Sequence, residues 1–277
     1  MKKMIGIVRA FAAALAFAPL AIGGAQAAVL YGTYGAGNSS TSTLVKIDTT
    51  TGGVTTIGNV GYLLNGLTWD ASTSTLFGSA RNDVGLVKLN LSTGAGTLIA
   101  RGFNSRANGC TGGQNVLLAS NSGGNVYGWC DPSVDDLMSI DKTTGIAHVV
   151  GNSGLSTGGH GLAFDNNDNL YVYNGGSAYL MNTATGQASF VRRLGYTGHH
   201  GDFNPDNNYY YGLDSTGINI LDIVGNAGYV GRLNVSNLHT LAFVSENKPL
   251  PEPGSVALLG LGVAGLLAAR RRQRAKA

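Results

Sequence analysis

A phrase of nine residues recurs along the chain and constrains its fold more than any other feature. Its first copy is an apolar strand over residues 44–47 that ends on Asp48 and turns at Gly52. Further copies span 86–94, 137–145 and 179–186, and a weaker one spans 218–226. The Asp or Asn that ends the strand stands at positions 48, 90, 141, 182 and 222, so the spacings are 42, 51, 41 and 40 residues. A period near forty residues with about four strands in each is typical of a propeller blade.

The second repeat shows the predicted blade most plainly. Residues 66–70 read as its inner strand, and 76–78, 86–90 and 97–100 read as the three strands that follow. The first repeat lacks an inner strand, whereas residues 239–243 form an inner strand without a blade of its own. Pairing the one into the other closes a ring and removes the sheet edges that a linear array would expose. We therefore predict an all-β fold, a five-bladed β-propeller closed by the C-terminal strand, over residues 28–245.

The first residues have the composition of a targeting segment. Lys2, Lys3 and Arg9 precede or interrupt an apolar stretch that extends to residue 22, and Ala25-Gln26-Ala27 supplies a small-x-small cleavage site. The apolar stretch is too short for a membrane anchor, which needs about twenty residues. We predict a cleavable signal peptide over residues 1–27 and hence an exported protein.

The last residues carry a second address. A linker at 246–253 ends in Pro-Glu-Pro, and residues 254–269 form an apolar run of sixteen residues that is followed at once by arginines. Such a run, with its basic end in the cytoplasm, predicts a short membrane helix and tail over 254–277. The residues that define this pattern are Pro251, Glu252, Pro253, Arg270, Arg271, Arg272 and Arg274.

This order of Pro-Glu-Pro, short helix and arginine cluster resembles the PEP-CTERM sorting signal of exported bacterial proteins. The resemblance implies that an exosortase is a partner and cuts at or near the motif. It also implies a precursor held transiently in the inner membrane and a product at the cell surface or outside the cell. An ordinary tail anchor is the alternative reading of the same residues.

The charge of the body argues against a nucleic-acid partner. The two terminal segments, 1–27 and 254–277, hold eight of the eighteen basic residues and none of the fifteen acidic ones, so the remaining chain has a net charge of −5. An acidic body lacks the basic surface that binding to phosphate backbones requires.

The repeated phrase L-x-x-I-D…T-G…G-L-x-F-D resembles the YVTN and NHL-like families of repeat propellers over most of the body. The resemblance implies a binding platform in most cases, with some lactonases and lyases on related scaffolds. Fold alone does not decide between these functions.

Cys110 and Cys130 are the two cysteines of the chain, and both lie in the longer third repeat. In an exported protein such a pair is more often bridged than free, so we predict a structural disulfide between them.

Aligning the repeats on one large apolar residue of the inner strand defines a candidate site. That residue is Trp69, Leu118, Phe164, Phe203 or Phe243 in successive repeats. A polar residue stands four positions ahead of it in every repeat: Asn65, Gln114, His160, His199 and His239. Symmetry predicts a ring of these side chains at one mouth of the central channel, with His200 adjacent. Imidazoles that converge on an axis can bind a metal ion or an anion. The alternative is that these side chains cap the strand ends.

The acidic residues favour binding over catalysis. Residues 165–169 begin like a calcium loop, but Leu170 and Gly176 replace the glycine and glutamate that such a loop needs, so a hairpin turn is favoured. Glutamate occurs only at Glu246 and Glu252, so a carboxylate pair of the glycosidase type cannot include a Glu in the blades, although Asp202 on an inner strand stays open. We predict a non-enzymatic binding or structural protein without a cofactor, associated with exopolysaccharide or biofilm. A metal-dependent hydrolase or lyase that uses the histidine ring is the alternative.

Overall fold

A computed structural model describes residues 27–35, 39–81, 85–101, 103, 115–131, 135–155, 159–195, 198, 200–225 and 227–245. The segments predicted as linker, membrane helix and tail (246–277) lie outside these residues, as does the predicted signal peptide up to residue 26. Within the described ranges, no helix is long and apolar enough to cross a membrane.

Five four-stranded antiparallel sheets form the blades. The strands of blade 1, from the inside outwards, are β20 (Leu238–Val244), β1 (Val29–Tyr34), β2 (Thr43–Ile47) and β3 (Val54–Asn59). Blade 2 contains β4 (Leu64–Asp70), β5 (Thr75–Ala80), β6 (Gly85–Leu89) and β7 (Gly96–Arg101), and blade 3 contains β8 (Asn115–Ser120), β9 (Val126–Asp131), β10 (Asp136–Ile140) and β11 (Ala147–Asn152). Blade 4 contains β12 (Gly159–Phe164), β13 (Leu170–Asn174), β14 (Ser177–Met181) and β15 (Ala188–Arg193), and blade 5 contains β16 (Gly201–Phe203), β17 (Tyr210–Asp214), β18 (Gly217–Asp222) and β19 (Gly228–Leu233).

The ring is closed in the predicted way. The last strand, β20, pairs with the first, β1, in a register that sets Phe243 opposite Leu30. The inner strands β20, β4, β8, β12 and β16 contact one another in that order, and β16 contacts β20 in turn. Blades 5 and 1 therefore meet at the place where the two ends of the body come together, which we call the seam.

The repeated phrase forms the third strand of each blade and the turn that leaves it. Asp48 Oδ1 accepts hydrogen bonds from the backbone N–H groups of Thr50 (2.7 Å) and Thr51 (3.0 Å), and Asn90, Asp141 and Asn182 do the same in their own turns. Glycine is needed at the end of this turn because φ is positive there, +75° at Gly52 for example. The phrase is scaffold, because its polar side chains are used to shape the turn.

The core lies between blades rather than inside them. On β20, Leu241 and Phe243 face Leu213 and Ile218 of blade 5, while the alternate residue Ala242 packs in the cluster shared with blade 2. This alternation follows from the two-residue period of a strand. β20 is therefore covered on both faces, and its last four residues, 241–244, are all apolar and buried.

Cys130 on β9 is fully buried in the apolar cluster between blades 2 and 3. Its predicted partner, Cys110, lies outside the described residues, so the disulfide stays a prediction.

Candidate functional site

Three inner strands carry a β-bulge at the same place, near their first residue. The pairing of β4 with β5 moves from Leu64 opposite Ala80 to Gly66 opposite Ser79, which places Asn65 in the bulge. The same shift places His160 in the bulge of β12 and His239 in that of β20. Bulges re-aim side chains and are frequent at the rims of barrels and beside functional sites. In these three blades the predicted polar residue is therefore the bulged residue of its inner strand.

Blade 3 departs from the predicted register. Ser120 lies opposite Val126, as Trp69 lies opposite Leu76, so Ser120 rather than Leu118 is the residue equivalent to the inner-strand aromatics. The predicted register of this blade is wrong by two residues, because a small polar side chain holds the place on which the alignment relied. β8 pairs with β9 without a shift and has no bulge. Gln114 itself lies outside the described residues.

The structure brings two of the predicted ring residues into contact. His239 Nε2 lies 3.1 Å from Asn65 Oδ1, which links the inner strands of blades 1 and 2. Asn65 is only 1% exposed, and its Nδ2 has no hydrogen-bond partner among the described residues. The side chain of His160 and all of His199 fall outside the described part of the chain, so the full ring stays a prediction.

His200 is a member of the site that the repeat alignment did not select. Its ring lies 5.2 Å from that of His239, at an interplanar angle of 62°. Its backbone oxygen accepts the N–H of Leu213, which sets it at the start of β16. The adjacency of His199 and His200 in the sequence was the available signal.

A large groove opens beside this histidine pair, at the seam. Its volume is about 1080 Å³, and we call it the seam groove. Apolar surface comes from Tyr34, Val54, Val235 and Leu238, and polar groups come from Ser39, His200, Asp214, Ser215, Asn234, Ser236, Asn237 and His239. With one carboxylate among them, these described lining residues offer mainly hydroxyl, amide and imidazole groups.

The carboxylate of the groove is already neutralised. Asp214 pairs with Arg232 at 3.0 Å and accepts a hydrogen bond from Asn219 Nδ2 at 2.7 Å. Burial alone would raise the pKa of Asp214, but the hydrogen bonds from Asn219 and Thr216 and the charge of Arg232 outweigh it and lower the pKa to about 2. Asp214 is therefore ionised and structurally engaged, which makes it a poor proton donor near neutral pH.

Asp202, on the inner edge of blade 5, is a carboxylate whose pKa is shifted in the opposite direction to that of Asp214. Its two oxygens accept the N–H of Phe203 (2.9 Å) and, across the seam, that of Phe243 (2.8 Å). Burial raises its pKa to about 7 against the lowering effect of these two hydrogen bonds. This carboxylate caps two strand edges that face no further strand, so its first role is to hold β16 against β20.

The channel itself is nearly closed. The cavity on the axis, lined by Leu67, Leu117, Leu162, His200 and Leu241 among others, offers about 10 Å³ to the centre of a water molecule. That is room for about one water. A ligand would consequently bind at the mouth and in the seam groove rather than pass through the ring.

Metal binding is not assembled within the described ranges. No cluster of three or more His, Cys, Asp or Glu side chains that could hold a metal ion occurs among them. Asp165, in the calcium-like stretch, instead accepts the backbone N–H groups of Asn167 and Asn169 and shapes a hairpin turn.

The fold and the site define the class of protein: a five-bladed β-propeller with a polar groove at one mouth of its channel. Similarity to a solved structure with a TM-score above 0.5 supports the fold. A chain from the crystal structure of a nidogen/laminin complex aligns with a TM-score of 0.53 and 12% identity, over 79% of this chain and 98% of the other. A protein of unknown function from Bacteroides caccae aligns with a TM-score of 0.48 and 13% identity, over 76% and 73% of the two chains. No curated protein sequence matches.

The sorting signal of the chain identifies its export route more specifically than its fold identifies its function. Residues 249–272 match the PEP-CTERM protein-sorting motif, which confirms the resemblance seen in the sequence. This is an exported propeller that carries a signal for processing by an exosortase and for sorting to the cell surface.

Proposed function

We propose that the mature protein is a non-enzymatic protein of the cell surface or extracellular matrix that binds exopolysaccharide, and that the seam groove holds a neutral saccharide segment. The observation that carries this proposal is the lining of the groove, in which neutral hydrogen-bonding groups alternate with apolar surface. Sugars present the same combination, since hydroxyl groups surround C–H faces. The volume of about 1080 Å³ is at the upper end of the range of ligand sites, about 300–1000 Å³, and suits several sugar units rather than one.

The side chains of the groove suggest how a saccharide would be held. Tyr34 and Leu238 are half-buried and supply apolar surface for sugar faces. His200 and His239 have one donor and one acceptor nitrogen each when neutral, and Asn237 offers an amide. The described lining residues include no Lys or Arg that could pair with a uronic acid, so a neutral segment is favoured.

The position of the groove fits a surface protein. His239 stands near the first residue of β20, whereas the chain leaves β20 after Val244 toward the sorting segment. The histidine pair of the groove and the C-terminal exit therefore lie at opposite ends of the same strand. While the C-terminal segment is held at the membrane, this geometry would turn the histidine pair away from it.

Glycan-array binding of the purified, processed protein, followed by calorimetry with purified envelope polysaccharide, tests the proposal. We expect His239→Ala to weaken binding at least about tenfold, which corresponds to about 1.4 kcal/mol. His148→Ala is the matched control, because His148 is exposed on the outer strand of blade 3, away from the groove. The proposal fails if the protein binds neither polysaccharide nor intact cells, or if both variants bind equally well.

The second candidate is a metal-dependent hydrolase or lyase. Contact between the rings of His200 and His239, together with histidine at His160 and His199, favours it. This function predicts stoichiometric metal in the purified protein and its loss in a His160→Ala, His199→Ala double variant. Elemental analysis distinguishes the two functions, since a metal-free protein would exclude this one.

A further inference from the structure

The first turns of blades 3, 4 and 5, which join the inner strand to the second, lie at the face opposite the histidine pair and are linked by hydrogen bonds. The backbone N–H of Ser122 in blade 3 donates to Asp168 of blade 4 at 2.8 Å, and that of Asn166 in blade 4 donates to Asn208 of blade 5 at 2.9 Å. Blade 1 has no such turn, because its inner and second strands belong to opposite ends of the body. In blade 1, the backbone just before β1 makes the corresponding hydrogen bond to the turn of blade 5.

At the seam, Ala28 N donates to Asp206 Oδ2 at 2.8 Å, although the two residues are 178 positions apart in sequence. The donor is a peptide N–H as long as Ala27 is attached. Ala27 is exposed, whereas Ala28 is 9% exposed and counts with the core. The border between exposed and buried chain thus falls at the bond that the Ala25-Gln26-Ala27 signal predicts to be cut.

We propose that leader removal at the Ala27–Ala28 bond creates an α-ammonium that pairs with Asp206 and locks the seam of the mature propeller. A signal peptidase adds water across this amide. Ala27 leaves with the leader as a carboxylate, and the nitrogen of Ala28 becomes –NH₃⁺. The inference rests on the predicted signal peptide and is independent of the proposed ligand.

The surroundings of Ala28 support an ion pair at this place. Asp206 is presented by a turn in which its own N–H is bonded to Asn204 Oδ1 at 2.9 Å, so the carboxylate is held toward the seam. Lys46 and Asp48 line the shallow hollow beside Ala28 and contribute one charge of each sign. A charge-assisted hydrogen bond is roughly twice as strong as a neutral one. Cleavage would therefore strengthen a contact that is already formed and would reduce fraying of the chain start.

The first measurement is the N-terminal mass of the exported protein, which should begin at Ala28. Its α-amine is then converted to a ketone by transamination with pyridoxal phosphate, a reaction that leaves lysines unchanged. We expect the melting temperature to fall by about 2–4 °C, the shift typical of a loss of one such interaction in a domain of this size. Asp206→Asn should cause a similar fall, and transamination of that variant should cause no further one.

Three outcomes would overturn the proposal. The exported protein could begin at a residue other than Ala28, transamination could leave the melting temperature of the wild type unchanged, or it could lower that of Asp206→Asn by the same amount. Because transamination is applied to folded wild-type protein, the test does not depend on whether the Asp206→Asn variant folds. Polysaccharide binding is measured on the same samples and should be unchanged, which separates this test from that of the ligand site.

Discussion

Lys142 is the clearest place at which one side chain holds two blades together, and its replacement by methionine is our principal prediction. Its ammonium donates to Asp70 Oδ2 (2.6 Å), to Ser72 Oγ (2.8 Å) and to the backbone oxygen of Gly124 (2.9 Å). The side chain of Asp70 is 0% exposed and that of Lys142 is 26% exposed. Lys142→Met therefore leaves a buried carboxylate without its counter-charge.

The expected loss of unfolding free energy depends on the hydrogen bonds that Asp70 retains in the variant. Breaking one partner of a buried ion pair costs about 3–5 kcal/mol. Asp70 keeps the hydroxyl hydrogen bonds of Ser72 and Thr73, both at 2.6 Å, so we expect the lower end, about 3 kcal/mol. For a domain of this size, that loss corresponds to a fall in melting temperature of about 6–12 °C.

Thermal and urea unfolding of the exported protein measure this effect, with Lys88→Met as control, since Lys88 is exposed on β6 and the charge change is the same. Adding Asp70→Asn to Lys142→Met should recover part of the loss, because no buried charge then remains. Burial alone would raise the pKa of Asp70, but Lys142, Ser72 and Thr73 together hold it below its usual value. The stability that Asp70 contributes is thus present above its unfolded pKa near 4 and is lost as pH falls, so the two proteins should converge in acid. Equal losses in Lys142→Met and Lys88→Met would refute this reasoning.

Three further predictions concern single positions. Because the pKa of Asp202 is raised to about 7, the folded state binds the proton of this carboxyl more tightly than the unfolded chain does. The stability of the protein should therefore decrease as pH rises from about 4 to 7. Asp202→Asn should flatten this dependence in melting temperatures recorded across the range. Gly186→Ala should lower the free energy of unfolding in urea by about 2 kcal/mol or more, since φ is +78° and the new methyl would overlap the backbone of Gly151. Gly195→Ala is the control: φ is +71° there but the space is open, so the loss should be only about 1 kcal/mol. Tyr210→Phe should leave the melting temperature unchanged or raise it by a few degrees, because the buried hydroxyl has no hydrogen-bond partner in the described residues and its removal relieves a desolvation cost of about 1 kcal/mol.

The blades and their closure were predictable because they depend on local and periodic features. Asp48 and Gly52 shape their turn through hydrogen bonds that span two to four residues, so the same letters recur wherever the turn does. The missing inner strand of blade 1 and the surplus strand at 239–243 indicated closure by simple count. The alignment failed in blade 3, where Ser120 replaces the apolar residue on which it depended.

The candidate site was only partly predictable, because local and periodic features place its residues along the chain but do not show which of them meet in space. The repeat selected Asn65 and His239 from their place in the inner strand, but the sequence carries no sign that they contact each other across 174 residues. The adjacency of His200 to the repeated position was a signal, but the sequence does not show that its ring contacts that of His239.

The sequence by itself determined the number of blades, the turn that follows each third strand and the sorting motif at residues 249–272, because each of these depends on residues that are neighbours along the chain. The tertiary structure alone decided which polar groups meet between blades: Lys142 with Asp70, Asp202 with Phe243, and Ala28 with Asp206. These contacts join residues that are 72, 41 and 178 positions apart, and nothing local encodes them. They arise because closing the ring brings the edges and turns of separate blades within hydrogen-bond distance, where buried polar groups must find partners.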